Sequence, residues 1–150
     1  VAGTLYLEDL SPGARFTSGE QALDAAQIVD FAQRFDPQPF HLDVEAAKST
    51  FFQGLAASGW HTASITMRLL VQSGLPLADG IIGSGGEIQW PKPTRPGDVL
   101  HVESEVLEVI PSRSRPERGM VVVRSETLNQ HGDVCQRLTT KLVVSRRPAG

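Results

Sequence analysis

Ser58-Gly59-Trp60-His61-Thr62-Ala63-Ser64-Ile65-Thr66-Met67-Arg68-Leu69-Leu70-Val71-Gln72-Ser73-Gly74 is the stretch that decides the fold. Ser58 has the hydroxyl that caps a helix amino end, and Gly74 is the residue type that ends one. Between them Arg68 is the single formally charged side chain when His61 is neutral, and apolar or small residues fall on nearly every face. A helix with that pattern is enclosed by the rest of its chain. The reading is a central buried helix.

Downstream, residues 80–90, 99–110, 120–129 and 134–144 are β-branched-rich segments divided by Pro-, Gly- and Asn-containing turns, with His131-Gly132-Asp133 marking a hairpin. Strands that follow one another without helices form an antiparallel sheet. Upstream, Asp24-Ala25-Ala26-Gln27 reads as a capping box, and Ile28, Phe31, Ala32 and Phe35 recur at helical spacing until Pro37 stops the helix. A short helix over 43–48, capped by Asp43, follows. The fold class is α+β, an antiparallel sheet wrapped around one buried helix. With no repeat, low-complexity tract or long polar linker, residues 1–150 are expected to form a single domain.

The composition excludes several classes of function. Fourteen Lys and Arg against seventeen Asp and Glu leave a formal charge of -3, so there is no overall basic field for nucleic acid or an anionic membrane. One cysteine, Cys135, allows neither an internal disulfide nor a cysteine-only metal site, and it reads as packing rather than as a nucleophile. No apolar run is long enough to span a bilayer, and Val1-Ala2-Gly3-Thr4 shows no basic segment leading into an apolar one. The expectation is a cytoplasmic protein without a membrane span or leader.

The chemistry concentrates in Phe35-Asp36-Pro37-Gln38-Pro39-Phe40-His41-Leu42-Asp43. Each proline fixes its own φ and biases the preceding residue away from helix, so Asp36 and His41 are expected to flank a stiff, extended corner. A carboxylate and an imidazole held in advance of any ligand suit proton transfer. His41-Leu42-Asp43 also spells the His-x-Asp pair of a two-histidine, one-carboxylate iron site, with His101 or His131 as third ligand. The proline-rich corner and the competing use of Asp43 as a helix cap argue against metal, and none is expected.

Asp36-Pro37-Gln38-Pro39-Phe40-His41 is similar to the Asp-x-Asn-Pro-x-His signature of the MaoC-like hydratase/dehydratase family, with Gln38 for the usual Asn and Phe35 for a common Gly. Ser58-Gly59-Trp60-His61-Thr62-Ala63-Ser64 resembles the start of that family's central helix, with Ser58 where a His often precedes the Gly. Trp90-Pro91-Lys92-Pro93-Thr94-Arg95-Pro96-Gly97-Asp98-Val99-Leu100 resembles the Pro-x-x-Pro-Gly-Asp-x-Leu connection widespread in hotdog proteins. The resemblance implies a hotdog domain that includes the (R)-specific enoyl-CoA hydratases among its relatives. It also implies a homodimer with an acyl tunnel near the subunit interface.

The expected activity is therefore a carbon–oxygen lyase that reversibly adds water to a trans-2-enoyl-CoA, or a related unsaturated acyl thioester, with no cofactor beyond the coenzyme A of the substrate. Asp36 and His41 are the acid/base candidates, and the resemblance implies syn addition and an (R)-3-hydroxyacyl product. Gly59 offers a backbone N–H at a helix amino end, where amides lack intrahelical acceptors and the dipole is positive. Ser64 matches a family serine that orients the carboxylate. Phe40 and Trp60 are candidates for the acyl pocket, together with Phe51 and Phe52, and suggest short or branched acyl groups. Lys92 and Arg95 are candidates for coenzyme A's phosphates, whereas Arg113, Arg115 and Arg118 read as a solvated loop. His61 reads as a satisfied core histidine. A hotdog thioesterase would place its carboxylate on the central helix, and no Asp or Glu occurs from Ala56 to Gly74. A non-catalytic acyl-CoA-binding subunit is the other alternative, raised by Gln38, Phe35 and Ser58.

Overall fold

Alternation at every second residue builds the sheet. In β4 (Val99–Pro111) Leu100, Val102, Ser104 and Val106 are buried, and in β5 (Arg118–Leu128) Val121, Val123, Ser125 and Thr127 are buried. The residues between them face outward, as the two-residue period of a strand requires. The computed structural model describes residues 3–149, so Val1 and Ala2, at the amino end expected to carry no leader, lie outside the described residues. The strands β1 (Arg15–Thr17), β3 (Ile82–Gln89), β4, β5 and β6 (Val134–Ser145) lie antiparallel in the order β1-β4-β5-β6-β3, and β2 (Gln21–Ala22) also pairs with β4. The expected strand segments are all present. Asn129 ties the β5–β6 turn by accepting from the His131 and Asp133 amides, at 2.9 and 3.0 Å, and Gly132 supplies the positive φ of +79°.

The first helix, α1 (Ala25–Phe35), begins on the expected capping box: the Asp24 side chain accepts from the Gln27 amide at 2.8 Å and the Gln27 side chain accepts from the Asp24 amide at 2.9 Å. It ends at Asp36, whose N–H donates to the Ala32 carbonyl. Two short helices follow, α2 (Pro39–Leu42) and α3 (Val44–Ala47), with the Asp43 carboxylate capping α3 on the amides of Glu45 and Ala46. The extended corner is thus only half of what was expected. Gln38 is extended, but Pro39 opens a helical turn that contains His41. The reason lies in proline itself, whose fixed φ and missing N–H suit the first position of a helix.

The central helix α4 (Gly59–Leu69) runs on through a π turn (Leu70–Gly74), closed by the Leu75 N–H on the Leu70 carbonyl at 2.8 Å. Ser58 caps it as expected, accepting from the Trp60 amide. Thr62, Ile65, Thr66 and Leu69 face inward, and the helix packs against β4 and β6. Its enclosure is incomplete, however: Trp60 is 58% exposed, Val71 47% and Met67 40%. Residues 60, 64, 67 and 71 fall on one helical stripe, and the described sheet covers the other side. The edge strand β3 is likewise exposed at seven of its eight residues. No helix among the described residues is long and apolar enough to cross a membrane.

Candidate active site

The carboxyl end of α1, the turn of α2 and the amino end of α4 converge on one point. Asp36 Oδ2 lies 3.3 Å from His41 Nε2. Three short bonds set this pair. The Ser58 hydroxyl donates to Asp36 Oδ2 at 2.7 Å, the Gln38 amide donates to Asp36 Oδ1 at 2.5 Å, and His41 Nδ1 meets the Ala56 carbonyl at 2.6 Å. Because a carbonyl oxygen only accepts, Nδ1 carries a proton, and the ring turns Nε2 toward Asp36. His41 is 4% exposed.

The electrostatics follow from these contacts. Burial pushes the Asp36 carboxyl upward, but the hydrogen bonds from Gln38 and Ser58 and the charge of a protonated His41 outweigh it. The carboxyl lies below its ordinary value of 3.8. Asp36 is therefore an ionised acceptor at neutral pH, with each oxygen already holding one donor.

The loop that fixes His41 is itself pinned. The Ala56 N–H donates to the Phe40 carbonyl at 3.0 Å and the Ala57 N–H to the Thr94 carbonyl at 2.9 Å. Arg95 spends its guanidinium on the same loop, with Nη2 on the Phe52 carbonyl at 2.6 Å and Nη1 on the Gly54 and Leu55 carbonyls at 3.0 and 3.2 Å. Arg95 was a candidate for phosphate, yet its donors face backbone carbonyls. It lines the cavity as a structural cation. Lys92 pairs with Asp133 at 3.2 Å and stays exposed at the cavity rim, holding the Asp133 carboxyl low.

That cavity, of about 620 Å³, is walled by His41, Phe52, Gly59, Trp90, Thr94 and Cys135 among others. The N–H of Gly59, the first of α4, has no acceptor among the described residues and stands at the cavity wall. Phe51 and Phe52 line the space as the sequence suggests, whereas Phe40 and Trp60 do not. Phe40 instead packs edge-on to the His41 ring at 4.6 Å, and Trp60 turns outward against Trp90. Cys135 is buried, and that burial raises its thiol pKa.

Ser64 requires a correction. Its hydroxyl donates to the Trp60 carbonyl one turn back at 2.8 Å, and the residue is exposed. Ser58, the cap, reaches Asp36 instead. The dual use is legible in hindsight: a hydroxyl at a helix cap accepts from the helix with a lone pair and keeps its proton for a neighbour. The sequence places Gln38 in the Asp-x-Asn-Pro-x-His stretch and Trp90 at the head of the Pro-rich connection without giving either a contact, and nothing in it marks the Ala56 carbonyl. His61 also differs from expectation. Its ring stacks on Phe31 at 4.5 Å, and Nδ1 is buried without a hydrogen-bond partner among the described residues. The iron-site alternative finds no support in the packing: Asp43 caps α3, His101 pairs with Glu103 at 2.8 Å, and no cluster of three ligand-type side chains forms among the described residues. The loop bearing Arg113 and Arg115 joins the far ends of β4 and β5, away from Lys92.

A long helix laid across an antiparallel sheet, with its amino end turned to a cavity, defines a protein of the hotdog fold. Residues 11–129 match the MaoC like domain, and the chain belongs to the MaoC-like dehydratase family, which also holds (R)-hydratases. A crystal structure of a MaoC-like dehydratase from Rhodospirillum rubrum is 64% identical, covers 97% of this chain and 100% of that one, and superposes with a TM-score of 0.96. The uncharacterised protein YdeM of Bacillus subtilis is 34% identical over 84% of this chain and 89% of its own length. The 3-hydroxybutyryl-CoA dehydratase of Methylorubrum extorquens is 32% identical over 74% of this chain and 69% of its own.

Proposed function

We propose that this chain reversibly hydrates a trans-2-enoyl-CoA to an (R)-3-hydroxyacyl-CoA, with Asp36 and His41 as its acid/base pair. The observation that carries the reading is the 3.3 Å approach of Asp36 Oδ2 to His41 Nε2, with His41 lining the same cavity as Gly59, whose N–H has no acceptor among the described residues. The kinship with a 3-hydroxybutyryl-CoA dehydratase supports the substrate class.

In the hydration direction a water is held against Oδ2 and Nε2. One of the pair takes its proton as the oxygen bonds to C3. The C2–C3 π electrons move into the thioester, and the oxyanion accepts from the Gly59 N–H with the positive end of the α4 dipole behind it. The proton taken from water crosses the 3.3 Å between the two groups, and the other member of the pair delivers it to C2 as the enolate collapses to the saturated thioester. One water is consumed, and the two proton transfers restore the pair. A preorganised acid/base pair contributes about 10²- to 10⁴-fold, and one oxyanion donor about 10²- to 10³-fold. The exposed β3 edge and the exposed stripe of α4 support a second copy of the chain as the partner that covers them.

The test is the ultraviolet absorbance of the conjugated thioester on mixing with crotonyl-CoA, followed in parallel with a thiol reagent. Loss of absorbance without free thiol, with 3-hydroxybutyryl-CoA of (R) configuration as product, is the expected result. Thiol release faster than hydration would make the protein a thioesterase instead.

A further inference from the structure

One aromatic wall of the cavity is Trp90, 40% exposed, which the acid/base chemistry does not use. It follows β3 directly, and its indole lies on Gly59 so closely that a Cβ built on that glycine would stand 2.6–2.8 Å from three indole carbons. The glycine at the helix start is therefore required by the indole as much as by helix geometry, since its φ is not in the left-handed region. Trp90 Nε1 donates to Gln136 Oε1 at 3.0 Å. Gln136 is wholly buried, and its amide donates to Thr66 Oγ1 at 3.1 Å, which in turn pairs with Thr127 Oγ1. A glutamine buried in an apolar core destabilises the fold unless both ends of its amide are bonded. Here one end holds the indole and the other holds α4, so the indole is locked to the helix that presents the Gly59 N–H. Trp60 packs edge-on against the indole at 5.2 Å.

We propose that Trp90, anchored by Gln136, is the specificity-determining wall beside the thioester carbonyl, and that it selects acyl groups unbranched at C2. The inference rests on the hydration reading above: a thioester whose oxygen meets the Gly59 N–H and whose C3 reaches His41 must pass its C1–C2 segment along the indole. A flat trans-2-enoyl unit with hydrogen at C2 fits that approach. A methyl at C2 adds bulk at the point where the wall is fixed by a bonded chain and cannot yield.

The experiment compares kcat/KM for crotonyl-CoA and its 2-methyl analogue, tiglyl-CoA, in the native protein and in Trp90→Ala, Trp90→Phe and Gln136→Leu. It is paired with a titration of indole fluorescence in Trp60→Phe, where Trp90 is the remaining one of two tryptophans. One methyl in a fitted pocket is worth about 10- to 200-fold in discrimination. The expected result is a ratio narrowed by about tenfold or more in Trp90→Ala, mostly through KM for tiglyl-CoA, less in Gln136→Leu and least in Trp90→Phe. Saturable quenching of Trp90 emission by crotonyl-CoA is expected as well, and this readout does not depend on any Trp90 variant folding. An unchanged ratio in a folded Trp90→Ala that still hydrates crotonyl-CoA would overturn this role alone. Emission that stays constant while calorimetry records binding would do the same. A native protein that neither binds nor hydrates either thioester would overturn both this role and the hydration reading.

Discussion

His41 and His61 are both imidazoles packed near the amino end of α4, and they have opposite surroundings. His41 Nδ1 is bonded to the Ala56 carbonyl and Nε2 faces Asp36, so its tautomer and its direction are set by two partners. His61 lies flat against Phe31, with interplanar angle 4°, and its buried Nδ1 has no partner among the described residues. Burial lowers its pKa and keeps it neutral. Burial without partners leaves an imidazole an aromatic slab, whereas fixed partners give it the tautomer and direction that proton transfer requires. His61 is the more conspicuous in sequence, lying inside the motif that opens the central helix. His41 earns its assignment only through the Ala56 carbonyl, which no sequence pattern announces.

The hardest test of the His41 side removes its acid partner. Asp36→Asn keeps the shape of the site but can accept from only one of its two donors, Gln38 or Ser58, and cannot take or give a proton, and hydration of crotonyl-CoA is expected to fall about 10³-fold. Steady-state kinetics on the folded variant checks this. Next in size is the serine that the structure places on Asp36. Ser58→Ala removes a 2.7 Å bond to the carboxylate and the α4 cap together. Its kcat is expected to fall about tenfold or more, and its stability by about 1 kcal/mol. Ser64→Ala, exposed and bonded only to its own helix, is expected to change neither by more than about twofold or about 0.5 kcal/mol. Thermal melts and kinetics on the two variants together decide which serine acts.

The pH dependence of stability separates the two sides further. The Asp36 carboxyl lies below its ordinary 3.8 in the fold. Its stabilisation is therefore complete above about pH 5, and is lost as pH falls through the lower folded value. In Asp36→Asn that acid-side loss is expected to shrink, as chemical denaturation at pH 3 to 6 would reveal. His61 has a folded pKa below 6.5, so the unfolded chain binds the extra proton first and stability declines as pH drops below about 6.5. In His61→Phe, removing an unsatisfied buried nitrogen is expected to leave stability at pH 7.5 within about 1 kcal/mol and to flatten the curve between pH 6.5 and 5.

Much of the framework was legible in the sequence because local rules govern it. The Asp24–Gln27 capping box, the four long strand segments and the Ser58 cap all appear where residue chemistry and period place them. The candidate site was legible only as a set of residue types. Asp36 and His41 do meet, and His41 and Gly59 line one cavity, but the bonds that orient them come from across the chain: Ser58 to Asp36, Ala56 to His41 and Arg95 to the carbonyls of residues 52, 54 and 55. Arg95 shows why. A guanidinium near a ligand cavity reads as an anion binder, and only the folded loop reveals three carbonyls that satisfy it first. Pro39 shows the local limit, since the same fixed φ serves an extended corner or the first residue of a helix.

The central claim is that partners, and not burial, select the working histidine. Its most direct test is kcat/KM for crotonyl-CoA in the native protein, His41→Ala and His61→Ala, each shown to be folded by circular dichroism. A loss of about 10³-fold is expected in His41→Ala and a change of less than about threefold in His61→Ala. Hydration that survives in His41→Ala, or that disappears in a folded His61→Ala, would contradict that claim.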